Sequence, residues 1–154
     1  MILPILTYPD PLLSQVCASV TDFDDDLRQL VQDMRDTMIA AKGLGLAAPQ
    51  VGKLLQVFVV RNGDDVLTFI NPILTLAGDE VLSDEGCLSL PQQQARVPRW
   101  SCASIVAQDL NGDQFMIEAE GLPAIVLQHE NDHLGGVTIA PYLVPYDAAE
   151  PLSP

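Results

Sequence analysis

The order of elements in the sequence predicts an α+β fold, in which the second of two long helices lies against β-sheet. Two segments show the apolar spacing of amphipathic helices, and short apolar runs bounded by turn-forming residues, as in strands, lie between them. The chain has 154 residues, and 48% of them are hydrophobic. This length supports one compact core but not a second domain of ordinary size, so we expect a single domain over residues 1–154.

The first helix is predicted over residues 22–42, where apolar side chains recur at helical spacing: Leu27, Leu30, Val31, Met34, Met38 and Ile39. Aspartates cluster at its start, at positions 22, 24, 25 and 26. Carboxylates there accept hydrogen bonds from free N–H groups and favour the positive end of the helix dipole. Gly43 is expected to end the helix.

Strands are predicted in the middle of the chain. Residues 56–60 and 66–70 each form a buried apolar run bounded by turn formers. Residues 103–109 and 114–120 are two strand-like runs on either side of an Asn-Gly pair at positions 111 and 112. Because Asn-Gly favours the tight turn between antiparallel strands, these residues predict a hairpin.

The second helix is predicted to follow Gly121, with Pro123 in its first turn and the glycines at 135 and 136 at its end. One face carries Leu122, Ile125, Val126, His129 and His133. Both histidines are therefore expected to point towards the core. After residue 141 we expect at most a short strand and no further helix, because the tail contains Pro145, Asp147, Glu150, Pro151 and Pro154.

Charge and composition exclude several classes of protein. The formal net charge is −14, with 7 Lys plus Arg against 21 Asp plus Glu, so we expect no direct nucleic-acid binding. Residues 1–10 lack basic residues, and no apolar run reaches the roughly 18 residues of a spanning helix, so neither export nor membrane association is expected. The 3 cysteines do not suggest a disulfide framework. We expect a cytoplasmic monomer.

The strongest chemical signal is the motif His-Glu-x-x-His at residues 129–133. Two imidazoles four residues apart differ by about 40° around a helix, so both can bind one metal ion, and Glu130 between them can reach a water on that ion. The alternative is two structural histidines beside a solvated Glu. It is disfavoured because the chain has 2 histidines and both fall on the apolar face.

Cys87, in the segment Glu85-Gly86-Cys87-Leu88-Ser89, is the candidate third ligand. A thiolate binds first-row metals well, and the glycine is expected to give the loop freedom. Three protein ligands leave one position for a water, which is the mark of a catalytic rather than a structural site. Cys17 and Cys102 are expected to be small core residues.

A third segment, residues 43–50, reads Gly-Leu-Gly-Leu-Ala-Ala-Pro-Gln and follows the first helix. Its small residues allow the backbone to approach a ligand closely, and Gln50 supplies a neutral amide donor. A helix stop followed by a packed turn explains the same composition equally well.

These three segments, in this order and spacing, resemble the three signature motifs of peptide deformylases. Residues 8–12, 70–72, 97–99 and 118–122 are also similar to bacterial members. The resemblance covers residues 1 to about 136 and implies antiparallel sheets packed around a central metal-binding helix. It also implies Fe²⁺ held by Cys87, His129 and His133, a site that Zn²⁺, Ni²⁺ or Co²⁺ can occupy in the family.

The resemblance implies a hydrolase that removes the N-formyl group from the N-terminal methionine of newly synthesised polypeptides and releases formate. Glu130 would take a proton from the metal-activated water and return it to the departing amine. The Gln50 amide and the backbone N–H of Leu88 would stabilise charge on the formyl oxygen together with the metal. The alternatives are a zinc peptidase, which shares the helix motif, and a catalytically inactive module that binds formylated peptides.

The same resemblance suggests where the substrate lies. The methionine side chain is expected in an apolar pocket lined by Leu44, Leu122, Ile125 and Val126. The peptide beyond it is expected to pair as an added strand near Gly43, Gly45, Glu85 and Gly86.

Two departures from the family pattern affect partners. Many bacterial members carry a basic C-terminal helix implicated in ribosome docking, and this acidic, proline-containing tail does not resemble one, so we expect no docking by that route. Residues 92–94 are Gln-Gln-Gln where relatives often have an arginine that holds the peptide. Arg96 is near this position but not aligned with it.

Overall fold

The computed structural model describes residues 1–145. In that range the α-helices are α1 (Asp25–Ala40) and α2 (Leu122–Leu134). The strands are β1 (Gly45–Ala47), β2 (Val57–Asn62), β3 (Asp65–Cys87), β4 (Leu90–Gln108), β5 (Gln114–Glu120) and β6 (Leu143–Val144). Short 3₁₀ helices occupy Pro11–Ser14, Ala48–Val51 and Ala140–Tyr142. The predicted α+β class is confirmed.

The strands form one antiparallel sheet in the order β1-β2-β3-β4-β5, and β6 pairs with β4 beside this path. The pairing of β3 with β4 shifts register at three places: between Ile70 and Ile73, between Ala77 and Glu80, and between Glu85 and Cys87. Irregularities of this kind bend a sheet. The long β3–β4 hairpin therefore serves different neighbours along its length, since one end pairs with β2 and β5 and the other with β6.

The helices pack on opposite faces of the sheet. Successive side chains of β2 alternate between these two faces. Val57 and Val59 lie in one core cluster with the apolar stripe of α1, including Leu27, Val31, Met34 and Met38. The intervening Phe58 lies in a second cluster, where its ring is 4.9 Å from that of Phe69 and Leu127 of α2 packs against the same group. Successive residues of a strand point to opposite faces, so this one strand contributes to both cores and fixes α2 against the sheet.

The first helix lies within the predicted range but is shorter at both ends, over Asp25–Ala40 instead of residues 22–42. The Asp24 carboxylate caps it by accepting a hydrogen bond from the Leu27 N–H at 3.0 Å. At the other end, the N–H groups of Lys42 and Gly43 donate to the carbonyl oxygens of Ile39 and Met38, at 3.1 and 3.0 Å. The left-handed residue of this Schellman-type ending is Lys42, with φ of 57°, not Gly43. The prediction that Gly43 ends the helix was therefore wrong by one residue, because the helix-ending conformation falls on a residue type that rarely adopts it.

The strand predictions were correct where they were made but incomplete. Residues 56–60 match β2, and residues 66–70 are only the first part of β3. The predicted hairpin is the β4–β5 turn, in which the Asp109 carboxylate accepts hydrogen bonds from the N–H groups of Asn111 and Asp113 at 2.8 and 3.1 Å. The rest of β3 and the first half of β4 had not been predicted as strands.

The second helix lies where it was predicted, and Gly121, whose φ is 66°, precedes its first residue. Both histidines are buried, as expected, with 9% and 1% of their surfaces exposed. No helix among the described residues is long and apolar enough to cross a membrane. At the end of the described range, β6 is the short strand expected after residue 141. The expectations for Asp147, Glu150, Pro151 and Pro154 lie outside the described residues.

Candidate active site

Three side chains that could ligate a metal converge between the β3–β4 turn and α2. The ligand atoms of Cys87, His129 and His133 all lie within 4.8 Å of one another. Cys87 ends β3, and its Sγ is 3.5 Å from Nε2 of His133. The two histidines project from successive turns of α2, with ring centroids 5.1 Å apart. The helix spacing and the hairpin turn together place three soft or borderline donors around one point, as a catalytic metal site requires.

Cys87 does not lie in a flexible loop. It pairs directly with Leu90 across a turn that consists of Leu88 and Ser89. Gly86 lies inside β3 and does not have a positive φ. The expectation that this glycine gives a loop its freedom was therefore wrong, because the turn follows the cysteine rather than containing it. A strand end holds the thiolate more rigidly than a loop would.

A carboxylate orients one of the histidines. Nδ1 of His129 is 2.8 Å from Oε1 of Glu85, which directs Nε2 of the same ring towards the cluster. Arg99 holds Glu85 with two hydrogen bonds of 2.8 Å each, and it also donates to the Asp132 carboxylate at 2.6 Å. Glu85 had been predicted only as a substrate contact. It does line the cavity described below, but its carboxylate is committed to His129 and Arg99.

The charges in this network are strongly stabilised. Burial opposes ionisation of Glu85, but the hydrogen bonds from Arg99 and His129 outweigh it and hold the pKa of Glu85 at about 2. Burial likewise opposes the charge on Arg99, and its two carboxylate partners raise its pKa above the ordinary value. Arg99 and Asp132 had not been identified from the sequence. Arg99 is buried on the same face of β4 as Val97, two residues before it. This alternation could have indicated a buried arginine, but only if residues 90–102 had been predicted as a strand.

Glu130 is buried beside the histidines rather than solvated. Its side chain is 4% exposed, and Oε1 has no hydrogen-bond partner among the described residues. Burial raises the pKa of Glu130 to about 7, against the opposing charges of His129 and Arg99. A Cβ atom on Gly45 would lie 2.6 Å from Oε2 of Glu130, so only glycine at position 45 leaves room for this carboxylate. The group is therefore a proton acceptor with a pKa in the range of a general base.

Gln50 is held from both ends. Its Oε1 accepts a hydrogen bond from the Ala47 N–H at 2.9 Å, and its Nε2 donates to Oγ of Ser89 at 3.0 Å. The same Nε2 lies 3.7 Å from Sγ of Cys87. The amide is 1% exposed, so it cannot turn without losing buried hydrogen bonds. Ser89 had not been predicted to have a role, because only the contact with Gln50 reveals one.

The site opens onto one cavity of about 1110 Å³. Its lining includes every residue predicted to contact substrate, as well as Gln50, Cys87, Leu88, His129 and Glu130. The predicted members are Gly43, Leu44, Gly45, Glu85, Gly86, Leu122, Ile125 and Val126. Leu44, just before β1, and Leu122 of α2 are 53% and 57% exposed, and both line the cavity. Ala124 and Leu127 of the same helix face the core instead.

The residues present fit a divalent metal ion. Burial opposes protonation of His129, but the Cys87 sulfur and the charges of Glu130 and Glu85 raise its pKa to about 10, so its surroundings favour a positive charge. Burial, reinforced by the charges of His129 and Arg99, lowers the pKa of His133 to about 3. This keeps that imidazole in the neutral form that ligates metals. Thiolate and imidazole donors suit zinc, iron, cobalt and nickel rather than magnesium or calcium.

Comparisons with known proteins agree with this geometry. The family model described as "Polypeptide deformylase" matches residues 2–148. The peptide deformylase of Acinetobacter baumannii is 45% identical over 148 residues, covering 94% of this chain and 84% of that protein. That of Acidobacterium capsulatum is 42% identical over 142 residues, covering 89% of this chain and 84% of that protein.

Solved structures give the same result. A peptide deformylase from Legionella pneumophila superposes with a TM-score of 0.89 at 38% identity, covering 94% of this chain and 88% of that one. A peptide deformylase from Synechococcus elongatus, solved in complex with actinonin, has a TM-score of 0.88 at 38% identity, covering 94% of this chain and 80% of that one.

Proposed function

The chain belongs to the polypeptide deformylase family, and from this membership we propose how its residues divide the catalytic work. It is a hydrolase that removes the N-formyl group from the N-terminal methionine of newly synthesised polypeptides and releases formate. The observation that carries the assignment of roles is that Cys87 and His129, which converge with His133, line one cavity with Glu130 and Gln50.

Cys87, His129 and His133 hold the metal in this proposal. A divalent ion bound by them would lower the pKa of a water molecule towards about 7 and would polarise the substrate carbonyl. We propose Fe²⁺ as the ion, following the family resemblance, and the donor set also accommodates Zn²⁺, Ni²⁺ and Co²⁺. Glu85 keeps Nε2 of His129 directed at the ion, because its carboxylate engages Nδ1.

Glu130 moves the proton. Its carboxylate accepts a proton from the water that attacks the formyl carbon, and it then donates that proton to the amine nitrogen as the carbon–nitrogen bond breaks. The products are formate and a peptide with a free amino group. A pKa of about 7, caused mainly by burial, suits a group that must both accept and donate a proton near neutral pH.

Gln50 and Leu88 stabilise the developing negative charge. One N–H of the Gln50 amide donates to Oγ of Ser89 at 3.0 Å, and the same nitrogen also donates to Sγ of Cys87 at 3.7 Å. In this proposal the second N–H turns from the sulfur to the formyl oxygen when substrate binds. The backbone N–H of Leu88, next to Cys87 in the turn, is proposed as the second donor. Fixed donors of this kind stabilise a transition state without having to reorganise when charge develops.

The substrate binds along the free edge of the sheet. Strand β1 has β2 as its only partner in the sheet order of the described residues, so its other edge can pair with an extended peptide. The methionine side chain enters the apolar part of the cavity formed by Leu44, Leu122, Ile125 and Val126. Backbone pairing with one side-chain pocket suits an enzyme that must accept many sequences.

We place this activity in one catalytic domain that works as a cytoplasmic monomer, where formylated chains emerge during synthesis. A formal net charge of −14 disfavours direct contact with ribosomal RNA. We therefore propose that the enzyme meets its nascent substrates without nucleic-acid docking.

Formate release from a formyl-methionyl tripeptide tests the assignment of roles. The protein is prepared anaerobically and loaded with metal, and Glu130→Gln is compared with Glu118→Gln, a change on the exposed face of β5. We expect the Glu130 variant to lose about a hundredfold or more in kcat, and the Glu118 variant to match the parent.

The other outcomes identify the alternatives. Cleavage of an unformylated peptide would indicate a zinc peptidase. Metal binding without formate release would indicate a binding module. A Glu130→Gln variant as active as the parent would remove Glu130 from the mechanism.

A further inference from the structure

Lys42 occupies an unusual position at the rim of the active-site cavity. Its backbone φ is 57°, in the left-handed region that glycine and asparagine adopt far more readily than lysine. It nevertheless lines the cavity that holds the metal site. A non-glycine residue held in this conformation next to a functional site is a reason to look for a role of its side chain.

The ammonium group of Lys42 is the free cation of this cavity. Lys42 is the one Lys or Arg among the lining residues. The described part of the chain places no carboxylate within ion-pair distance of it. Asp84 also lines the cavity, but Arg96 pairs with it at 3.1 Å. Glutamines at positions 92, 93 and 94 contribute to the lining and carry no charge.

The path of the substrate leads past Lys42. The formyl end lies next to Gly45, because Gly45 touches the Glu130 carboxylate. A peptide that pairs antiparallel with β1 extends from Gly45 towards the preceding residues. Three residues of chain span at most about 10 Å, so Lys42 lies within reach of the third residue of an extended substrate, where each residue advances about 3.3 Å.

We propose that Lys42 selects formylated peptides that carry an acidic side chain at their third residue. This inference rests on the proposed function and adds a substrate class to it. The net charge of −14 acts in the opposite direction, since it repels acidic peptides. That repulsion is screened over about 8 Å at physiological ionic strength, whereas a direct ion pair with Lys42 is shorter than this.

The test uses three peptides of the form formyl-Met-Ala-X with an amidated C-terminus, where X is Glu, Gln or Lys. The metal-loaded parent is compared with Lys42→Gln, which keeps a non-glycine residue in the left-handed position, and with Lys42→Glu. Lys53→Gln serves as a matched control, because Lys53 is exposed and does not line this cavity. The measured quantity is the ratio of kcat/KM for the Glu peptide to that for the Lys peptide.

We expect this ratio to be about twofold to fivefold higher in the parent than in Lys42→Gln, the size of an exposed ion pair. Lys42→Glu should lower it further, and Lys53→Gln should leave it at the parent value. All other charges are the same in the parent and in Lys42→Gln. The difference between their ratios therefore measures the effect of the Lys42 charge alone. The change should appear in KM rather than kcat, because Lys42 does not touch the reacting atoms.

Two outcomes distinguish a failure of the Lys42 proposal from a failure of the proposed deformylase function. If all variants release formate with the same ratio, Lys42 does not select substrate and the inference is overturned, while the deformylase function stands. If the parent releases formate from none of the three peptides, the proposed function has failed, and the inference fails with it.

Discussion

Ser89 shows how a residue with no proposed chemical role can determine the geometry of an amide proposed to be catalytic, that of Gln50. Gln50 can turn one N–H from Sγ of Cys87, 3.7 Å away, to the substrate only while its other N–H is held by Oγ of Ser89 at 3.0 Å and its Oε1 by the Ala47 N–H at 2.9 Å. Ser89 is itself fixed, since it is 1% exposed and its carbonyl oxygen accepts a hydrogen bond from the Tyr8 N–H at 2.8 Å. The amide is thus preorganised by a residue that does not touch substrate.

We therefore expect Ser89→Ala to lower kcat by about tenfold, because the Gln50 amide gains rotational freedom. The metal ligands do not depend on this hydrogen bond, so metal content should equal that of the parent. Steady-state kinetics and metal analysis of the same preparation test this, with Ser104→Ala on β4 as a control. Loss of metal together with activity would show that Ser89 supports the whole turn instead.

The ion pair between Glu85 and Arg99 gives a pH-dependent prediction for stability. The pKa of Glu85 is about 2 in the folded protein against an ordinary value of 4.5. A depressed carboxylate pKa means that the stabilisation is fully present above about pH 4.5 and is lost as the pH falls towards 2. Glu85→Gln removes this contribution and leaves Arg99 without its buried partner, so at neutral pH it should destabilise the fold by about 3–5 kcal/mol.

Urea unfolding of the chelated protein at several values from about pH 7 to about pH 3 measures this effect without interference from metal release. The parent should lose stability on acidification more steeply than Glu85→Gln, because only the parent has this carboxylate to protonate. Parallel curves for the two proteins would contradict the assigned pKa.

At the scale of secondary structure, the Gln128 side chain of α2 fixes the helix to β4. Its amide makes the two hydrogen bonds to the backbone of β4 that a neighbouring strand would make. Oε1 of Gln128 accepts from the Trp100 N–H at 2.9 Å, and Nε2 of the same amide donates to the Trp100 carbonyl oxygen at 2.7 Å. This contact lies one residue from Arg99, which reaches Asp132 on the same helix. Together these bonds set the position of the helix that carries both histidine ligands.

Gln128→Leu should therefore destabilise the fold by about 1–3 kcal/mol, since it removes two part-buried hydrogen bonds, to the N–H and to the carbonyl oxygen of Trp100. Gln32→Leu is a matched control, because Gln32 is also a helical glutamine bonded within α1 but is exposed, and its loss should cost less than about 0.5 kcal/mol. Thermal or urea unfolding distinguishes the two. Equal effects would mean that the docking bonds contribute little to stability.

The elements that could be predicted from the sequence are those specified locally. The apolar stripe and capping aspartate of α1, the Gly121 start of α2 and the Asn-Gly turn between β4 and β5 all lie within a few residues of the structure they specify. Residues 71–87 and 90–102 were missed because they contain prolines, two glycines and several charged or amide side chains, which disfavour strands locally. They form strands because they pair with each other at long range.

In the candidate site, too, some residues could be predicted from the local sequence and others could not. Cys87, His129, His133, Glu130 and Gln50 were predicted from short motifs. The structure brings the first three together, and all but His133 line one cavity. Arg99, Asp132 and Ser89 were not identified, because their roles arise from pairing across the β3–β4 hairpin and with α2. Motif spacing identifies atoms that meet a ligand, whereas the residues that orient them depend on tertiary contacts.

At the scale of the whole molecule, the charge is strongly one-sided. The 21 Asp plus Glu outnumber the 7 Lys plus Arg threefold, and two of these cations, Arg99 and Arg96, are committed to carboxylates next to the cavity. Such a protein generates a negative potential over much of its surface, which changes association rates with charged ligands at low ionic strength. Peptide substrates therefore experience the field of the entire chain before they reach the short-range influence of Lys42.

This field predicts opposite salt effects for oppositely charged substrates. The screening length falls from about 30 Å at 0.01 M salt to about 8 Å at 0.15 M. Added salt therefore first weakens the long-range interaction between the acidic protein surface and the peptide. In Lys42→Gln, kcat/KM for formyl-Met-Ala-Lys-amide should fall severalfold over this range, that for the Glu peptide should rise, and that for the neutral Gln peptide should stay constant. In the parent the Glu peptide should respond less, because screening also weakens its pair with Lys42. A common salt response for all three peptides would show that ions act on the enzyme itself, and that the acidic surface has no part in selecting what enters the cavity.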